Sequence, residues 1–394
     1  MTVEWLTILA ALSAGAWVYL WLFRGDFWAA DQLLPDDIAA PSLNENEWPG
    51  ISIVIPARDE AEDIGNTIAA LAAQKYRGDF HIFLVDDNSS DDTADIARAA
   101  SEDPAALTII NGQPLAEGWT GKLWAVNQGL EEAGRSRPDD RYVLLTDADI
   151  EHDPDSLTRL VIKAEADGLD MVSLMVQLRC ESFWEHLLIP AFVFFFQKLY
   201  PFPQVNDPRH PMAAAAGGCM LVRREALQRA GGISQIRDKI IDDCALGALL
   251  KGGGRIWLGL TSKVHSRRRY DNLGEIWRMV TRTAFVQLNH STVALVGTVL
   301  GLAIIYGAPP VAAIWGTSGG AVMLGTGAWL AMAFAFLPTL RLYSLPPATT
   351  FALAAALPLS ALIYGLMTID SARRHWQGQS GMWKGRDYNA LHKK

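Results

Sequence analysis

Three apolar runs of strand length in this chain end in carboxylates. Ile51–Pro56 (ISIVIP) leads into Asp59 and Glu60, Ile82–Val85 (IFLV) into Asp86 and Asp87, and Val143–Thr146 (VLLT) into Asp147 and Asp149. In an open α/β sheet the loops beyond the carboxyl ends of the strands converge, and ligands collect there. Three such ends deliver negative charge to one edge. That crowding costs free energy unless a cation or hydrogen-bond donors offset it. A divalent metal, Mg2+ or Mn2+, meets the need: Asp147 and Asp149 reach it from one turn, and water and diphosphate oxygens complete its coordination. A lone D-x-D is more often an acidic turn or a helix cap. Directly after a buried strand and beside two further acidic ends, it points to an ion site. Asp59, Asp86 and Asp87 suit a nucleoside, because carboxylates accept from a base N–H and from ribose hydroxyls. Capping is their plain alternative, although Asp91 and Asp92 are better placed to cap the helix that follows.

Other groups add to this set. Lys122 lies near the start of a predicted helix, where an ammonium and free backbone N–H groups could meet a phosphate; a surface lysine is the alternative. Asp242 and Asp243 stand side by side between apolar residues at a helix entrance. A carboxylate in partly apolar surroundings can act as a general base, and Asp243 is the choice for that role. An N-cap would explain one of the two acids but not both. Gly217 and Gly218 allow a bound group to approach the backbone closely. A short strand over Arg255–Leu258 is followed by His265, a candidate metal ligand, and by Arg267, Arg268 and Arg269. Those arginines suit either a diphosphate leaving group or a basic patch facing a membrane.

The elements that must position these groups are legible in the hydrophobic pattern. Strands are expected at Ile51–Pro56, Phe80–Val85, Leu107–Ile110, Tyr142–Thr146 and Asp170–Val176, alternating with helices at Asp63–Lys75, Asp92–Ala100, Lys122–Ala133 and Asp155–Asp167. That alternation predicts βαβ units and a mostly parallel sheet flanked by helices, an α/β fold.

The ends of the chain read differently. Trp5–Phe23 is almost uninterruptedly apolar and long enough to cross a hydrocarbon core, which makes residues 1–24 an amino-terminal anchor. Glu4 precedes it where a signal peptide would carry basic residues. A polar connector fills 25–50, and the catalytic domain is expected over 51–270. Within it, Phe183–Tyr200 is a buried helix or one lying in the bilayer surface. Residues 271–290 form an amphipathic interfacial helix, with Leu273, Ile276, Trp277, Val280, Ala284 and Leu288 on one face. Residues 291–370 hold three apolar segments, at about Thr292–Trp315, Ala321–Leu340 and Ala348–Ile369, and 371–394 is a basic tail. Arg24 after the anchor places the catalytic domain in the cytoplasm, at the inner membrane. Three further crossings would then put the basic tail outside, against the same rule.

Composition narrows the classes. A formal net charge of −9 excludes a broad phosphate-neutralising surface, so no nucleic-acid partner is expected. Cys180, Cys219 and Cys244 have neither zinc-site nor disulfide-framework spacing, which fits a reducing compartment.

In this order the motifs resemble family 2 of the glycosyltransferases, whose nucleotide-sugar-binding fold is called GT-A. The likeness covers about 51–270 and rests on Pro56 with Asp59 and Glu60, Asp86 and Asp87, Gly121 and Lys122 with Ala125 and Asn127, Asp147 and Asp149, Gly217 and Gly218, and Asp242 and Asp243. It implies Asp59 and Asp87 at the nucleoside, Asp149 with Asp147 at the metal, and Asp243 as base beside Asp242. Pro56, Glu60, Asp86, Lys122, Asn127 and Asp147 fall on the donor side in the same expectation, and Gly217 and Gly218 on the acceptor side. Two departures stand out. Many relatives have Glu-Asp at Asp242-Asp243, and the Q/R-x-x-R-W motif of processive synthases is replaced by Ser266–Tyr270 (SRRRY), which speaks against processive polymerisation.

The whole layout is similar to the hopene-associated glycosyltransferases: the anchor, 183–196 (FWEHLLIPAFVFFF), 275–280 (EIWRMV) and an apolar tail. That resemblance implies an inverting transfer from a nucleotide-diphosphate sugar to a lipid hydroxyl, the lipid being a polycyclic triterpenoid or a relative. The rivals are transfer to a polyprenyl phosphate, metal-dependent nucleotidyl transfer, and a membrane-anchored nucleotide-binding scaffold without turnover.

Overall fold

The computed structural model of the protein describes residues 2–35, 48–379, 382–383 and 386–387. Positions 36–47 of the expected connector lie outside the described residues, as do Lys384, Lys393 and Lys394 of the basic tail. The chain divides into two units. A helical unit takes Met1–Asp31, Cys180–Pro203 and Arg269–Gly381; a sheet unit takes Gln32–Arg179, Gln204–Arg268 and Met382–Lys394. Cys180–Pro203, within the expected 51–270 domain, thus packs with the apolar helices.

The sheet unit is built on eight strands: β1 (Ile51–Ala57), β2 (Phe80–Asp86), β3 (Leu107–Asn111), β4 (Tyr142–Thr146), β5 (Ile150–His152), β6 (Met171–Gln177), β7 (Cys219–Arg223) and β8 (Ile256–Ser266). Their spatial order is β3-β2-β1-β4-β7-β6-β8-β5. β3, β2, β1 and β4 run parallel, as the βαβ pattern requires. β7 is antiparallel to both β4 and β6, and β5 is antiparallel to β8, so the sheet is mixed rather than nearly all parallel.

The expected strands and helices are present to within a few residues. β1 and β4 are buried along their whole length, since helices cover both faces of a strand at the centre of such a sheet. Two strands escaped the sequence reading. β5 has three residues, and β7 follows an alanine-glycine stretch that carries no period. β8 is also longer than Arg255–Leu258. Beyond Leu260 its burial alternates, because this half pairs with the edge strand β5 and faces solvent on one side. His265 is therefore a strand residue, not a loop residue after the strand.

The helix Asp242–Lys251 meets the sheet through a glycine. A Cβ added at Gly247 would lie 2.8 Å from the carbonyl carbon of Ala214, a backbone atom that cannot swing aside. Gly247→Ala is expected to push this helix off the 214–217 segment and to destabilise the sheet unit by about 1–3 kcal/mol. A drop in thermal unfolding temperature measures it, and an unchanged temperature would show that the contact yields.

In the helical unit, Trp5–Phe23, Thr292–Trp315 and Gly319–Arg341 are long and apolar enough to cross a membrane. The segment expected at Ala348–Ile369 differs: helices Pro347–Ala355 and Leu357–Trp376 meet at a bend of 55°, as in a broken span or a re-entrant loop. Large apolar side chains face outward on these helices, among them Trp5, Phe23, Val293 and Met323. An apolar exterior of this extent is not a water-facing surface. Polar groups bond inward: Trp21 Nε1 donates to Ala331 O at 3.2 Å and Gln197 Nε2 to Thr339 Oγ1 at 3.2 Å. Helix Phe183–Leu199 is buried over much of its length and is closed at its start by a capping box between Ser182 and Glu185. The helix Leu273–Gln287 exists as expected. It buries Ile276, Val280, Thr281 and Phe285, and Trp277 donates to Asp370 at 2.8 Å. Arg278 and Arg282 are exposed.

Candidate active site

Strand order explains which acidic ends meet. β4 lies beside β1, so Asp147 and Asp149 emerge next to the end of the first strand. β7 runs the opposite way and pairs Cys219 with Thr146, which brings the residues just before it, Gly217 and Gly218, to the same rim. The helix beginning at Asp242 and the helix beginning at Gly121 point their amino-terminal turns at this place.

Lys122 ties the rim together. Its Nζ lies 2.8 Å from Asp147 Oδ1 and 3.2 Å from Asp242 Oδ2. Burial works against its charge, but Asp147, Asp242 and Asp243 outweigh that and hold the ammonium firmly protonated. A surface lysine is thereby excluded. Asp243 accepts from Gly217 N at 3.0 Å and from Cys244 N at 2.7 Å. Neither acid is an N-cap, because the capping position is Ile241 and both lie in the first helical turn. Burial, and then the adjacent Asp242, push the Asp243 carboxyl above its ordinary range, in the direction a proton acceptor needs. Pro56, Lys122, Asp147, Gly217 and Asp242 line one cleft. Gly217 leaves it open: a Cβ there would come 3.4 Å from Lys122 Nζ and 3.5 Å from Asp243 Oδ2.

Lys122→Met is expected to leave Asp147 and Asp242 facing each other without a counter-charge. Nucleotide-sugar affinity should fall about tenfold or more, as for loss of one charge-assisted partner. Equilibrium binding of the donor checks this, and unchanged affinity would place Lys122 outside the donor site.

Asp149 sits deeper. Burial, then Asp147 and Glu60, raise its carboxyl to about 7, with Asp63 adding to the push and Arg268 opposing it. Ser266 Oγ donates to Asp149 Oδ2 at 3.3 Å, and Arg267 N donates to Asp149 O at 2.9 Å. Ser266 was not singled out by sequence; only the β5–β8 register reveals it. That register also corrects the reading of His265. Neighbouring residues on a strand face opposite ways, so with Ser266 turned to Asp149, His265 is turned away, and it is exposed. Arg267 pairs with Glu151 at 2.8 Å and Arg268 with Glu60 at 3.5 Å, while Arg269 belongs to the helical unit.

Beneath the acidic turn lies a polar prop that sequence reasoning missed. Thr146 Oγ1 donates to Gly218 O at 2.8 Å and meets His152 Nε2 at 3.0 Å. The hydroxyl has one proton, so the imidazole must donate from Nε2. Burial pushes His152 down to about 4, which keeps it neutral.

The remaining expected donor residues are divided. Asp59 has a left-handed backbone, φ 51°, and its carboxylate accepts from Ser90 N at 2.6 Å and Ser90 Oγ at 3.0 Å, latching the first two acidic loops together. Asp86 accepts from Ser89 N at 3.0 Å, and Asp87 is fully buried at the end of β2. Of the two cap candidates, Asp92 holds the N-cap position without a side-chain bond, and Asp91, one residue earlier, accepts from Thr93 N at 3.1 Å. Asn127 is not brought to the rim by its bonding; its side-chain amide donates to Glu131 one turn along at 2.8 Å.

Among the described residues no three His, Cys, Asp or Glu side chains converge into a ready cation cage. The donor set nevertheless fits a hard cation that keeps water and substrate phosphates, for which one or two carboxylates suffice. The Asp149 carboxyl is raised first by burial and then by Asp147 and Glu60.

Residues 52–231 match the profile of Glycosyl transferase family 2. The chain is 32% identical over 137 residues to the undecaprenyl-phosphate 4-deoxy-4-formamido-L-arabinose transferase of Pseudomonas fluorescens, a stretch covering 34% of this chain and 37% of that one. It is 31% identical over 116 residues to the poly-beta-1,6-N-acetyl-D-glucosamine synthase of Staphylococcus aureus, covering 29% of this chain and 26% of that one. The matched stretch thus spans under two-fifths of these curated relatives. Among solved structures, the mannosyltransferase PcManGT from Pyrobaculum calidifontis, in complex with GDP-Man and Mn2+, superposes with a TM-score of 0.54 at 19% identity over 92% of this chain and 99% of that one. The fold is GT-A-like, a mixed sheet flanked by helices with apolar helices at both ends of the chain.

Proposed function

We infer, for a chain whose residues 52–231 are a glycosyl transferase family 2 region, that the protein moves a sugar from a nucleotide-sugar donor to the hydroxyl or phosphate of a membrane lipid, inverting the anomeric centre. The observation that carries this reading is the Lys122 bridge. It holds the donor-side Asp147 and the acceptor-side Asp242 within reach of one ammonium, beside Asp243 on Gly217 N.

Each residue has work in that reaction. Lys122 and the amino-terminal turn of its helix receive diphosphate charge. Asp147 and Asp149 would hold Mg2+ or Mn2+, which when bound neutralises charge on the departing nucleoside diphosphate. Asp59 would meet the nucleoside at the first strand end, with Asp87, fully buried at the second, supporting that loop from below. Asp243 takes the proton of the acceptor hydroxyl as its oxygen attacks the anomeric carbon. Gly217 keeps the approach clear.

The acceptor has two forms to weigh. The hopene-associated layout favours a polycyclic triterpenoid hydroxyl. The relative named as an undecaprenyl-phosphate transferase favours a polyprenyl phosphate, which brings its own anionic oxygen and would make Asp243 dispensable as base. A cytoplasmic catalytic domain is compatible with the bent helix pair: if Pro347–Trp376 enters and leaves on one side, two crossings precede the basic tail and the positive-inside rule is met. The test is full-length protein in detergent with a panel of nucleotide sugars, Mg2+ or Mn2+, and either hopanoid-containing extract or undecaprenyl phosphate, read by mass spectrometry. A glycosylated lipid with release of nucleoside diphosphate supports the reading. Pyrophosphate release would indicate nucleotidyl transfer, and no turnover with any lipid would favour a scaffold.

A further inference from the structure

Helix Phe183–Leu199 carries a lysine in an apolar setting. Lys198 Nζ donates to Tyr306 Oη at 2.9 Å and lies over the rings of Tyr306 and Phe195, 4.7 and 5.4 Å from their centroids. Ring faces and one hydroxyl satisfy part of an ammonium, but no carboxylate of the described residues comes within ion-pair distance of it. The same is true of Arg24, whose Nε and Nη2 donate to the carbonyls of Lys198 and Leu199 at 3.1 and 3.0 Å. Two cations thus share one helix end without an anion among the described residues. Arg24 also occupies the terminal carbonyls whose negative potential would otherwise repel an anion there.

The partner of Lys198 is held by a special turn. Tyr306 lies in a π-helical stretch, Ala303–Gly307, inside the apolar helix Thr292–Trp315. Ile305 O in that stretch accepts from Ser13 Oγ at 3.0 Å and Trp17 Nε1 at 3.1 Å, and Trp17 packs edge-on against Tyr306 with centroids 5.6 Å apart. π-Turns inside helices and uncompensated cations among membrane helices both mark functional places. Arg24 directly follows the candidate span Trp5–Phe23, which sets it at the depth of lipid headgroups.

We propose that Lys198 and Arg24 form a binding site for the phosphate group of a membrane lipid. Lys198 supplies a charge held over the rings of Tyr306 and Phe195, and Arg24 a second charge fixed on the helix end. This site goes beyond sugar transfer and does not depend on it. The experiment is native mass spectrometry of the full-length protein in detergent, titrated with phosphatidylglycerol, with phosphatidylcholine, or with inorganic phosphate. The wild type is expected to retain phosphatidylglycerol in preference to phosphatidylcholine. Lys198→Met and Arg24→Gln should each weaken that retention about fivefold, the share of one cation near a lipid surface. Arg209→Gln, at an exposed arginine of the sheet unit, should leave it unchanged. Tyr306→Phe removes the hydroxyl but keeps both charges and should bind at wild-type strength, so a loss confined to the charge variants cannot be misfolding of the π-turn. Equal retention of phosphatidylglycerol by Lys198→Met and the wild type would overturn the site. Binding of inorganic phosphate without preference between the two lipids would overturn its assignment to a lipid.

Discussion

Asp243→Asn lowers transfer to a lipid hydroxyl by about a thousandfold, the middle of the range that a positioned proton acceptor contributes, while nucleotide-sugar binding stays near wild type. The asymmetry follows from where Asp243 stands. Its oxygens accept from Gly217 N and Cys244 N, on the side proposed for the acceptor, and the direct ion pairs of Lys122 go to Asp147 and Asp242 instead. Asparagine keeps the size but has one accepting oxygen for the two backbone N–H groups and cannot take a proton, so retained donor binding is the check that the turn survives. Burial and Asp242 raise the Asp243 carboxyl, so the wild-type rate should climb as pH rises through that group's titration, and the variant should lose this limb. Loss of donor binding together with transfer would make Asp243 a structural residue. Full transfer to undecaprenyl phosphate by the variant, with none to a hydroxyl, would identify the phosphate acceptor.

Asp149→Asn is expected to do two opposite things: to abolish metal-dependent donor binding and to stabilise the protein without metal. Asp149 is raised to about 7 by burial and by its acidic neighbours, whereas an unfolded aspartate titrates near 3.9. Between those values the folded protein binds more protons than the unfolded one, so stability falls as pH rises from about 4 to about 7. The penalty at neutral pH is on the order of 2 kcal/mol, after allowance for solvent at a partly exposed group. Asparagine removes it, and the unfolding temperature of the variant should be higher at pH 7 and flatter with pH. Metal binding requires the deprotonated carboxylate, so in the wild type it should weaken below pH 7. A variant less stable than wild type at pH 7 would show that Asp149 is held by compensating partners.

Much of this site was legible before any coordinates, for a physical reason. Buried parallel strands are continuous apolar runs, and carboxylates directly after them stand out because parallel neighbours end at the same edge of the sheet. Asp147 and Asp149 stand out that way; Lys122 is marked only by its place at a helix start, and its pairs with Asp147 and Asp242 set it at the centre of the rim. What could not be read was whatever depends on an antiparallel partner. β7 delivers Gly217 and Gly218 to Asp147 only because it runs against β4, and five residues of mixed character carry no sign of direction. Ser266 and His265 were indistinguishable until the register with β5 set one towards Asp149 and the other away. The prop of His152 on Thr146 joins residues six apart across a tight turn, where no period applies. In the helical unit, apolar length was sufficient for three spans, but the 55° bend between Ala355 and Leu357 leaves no mark in hydropathy.

Electron paramagnetic resonance of Mn2+ added to the full-length protein, with and without GDP or UDP, asks most directly whether the strand-end carboxylates form one donor site. The signal of free Mn2+ is expected to fall markedly only when a nucleoside diphosphate is present, and Asp149→Asn is expected to abolish the effect. Mn2+ binding of equal strength in Asp149→Asn, with or without nucleotide, would contradict it.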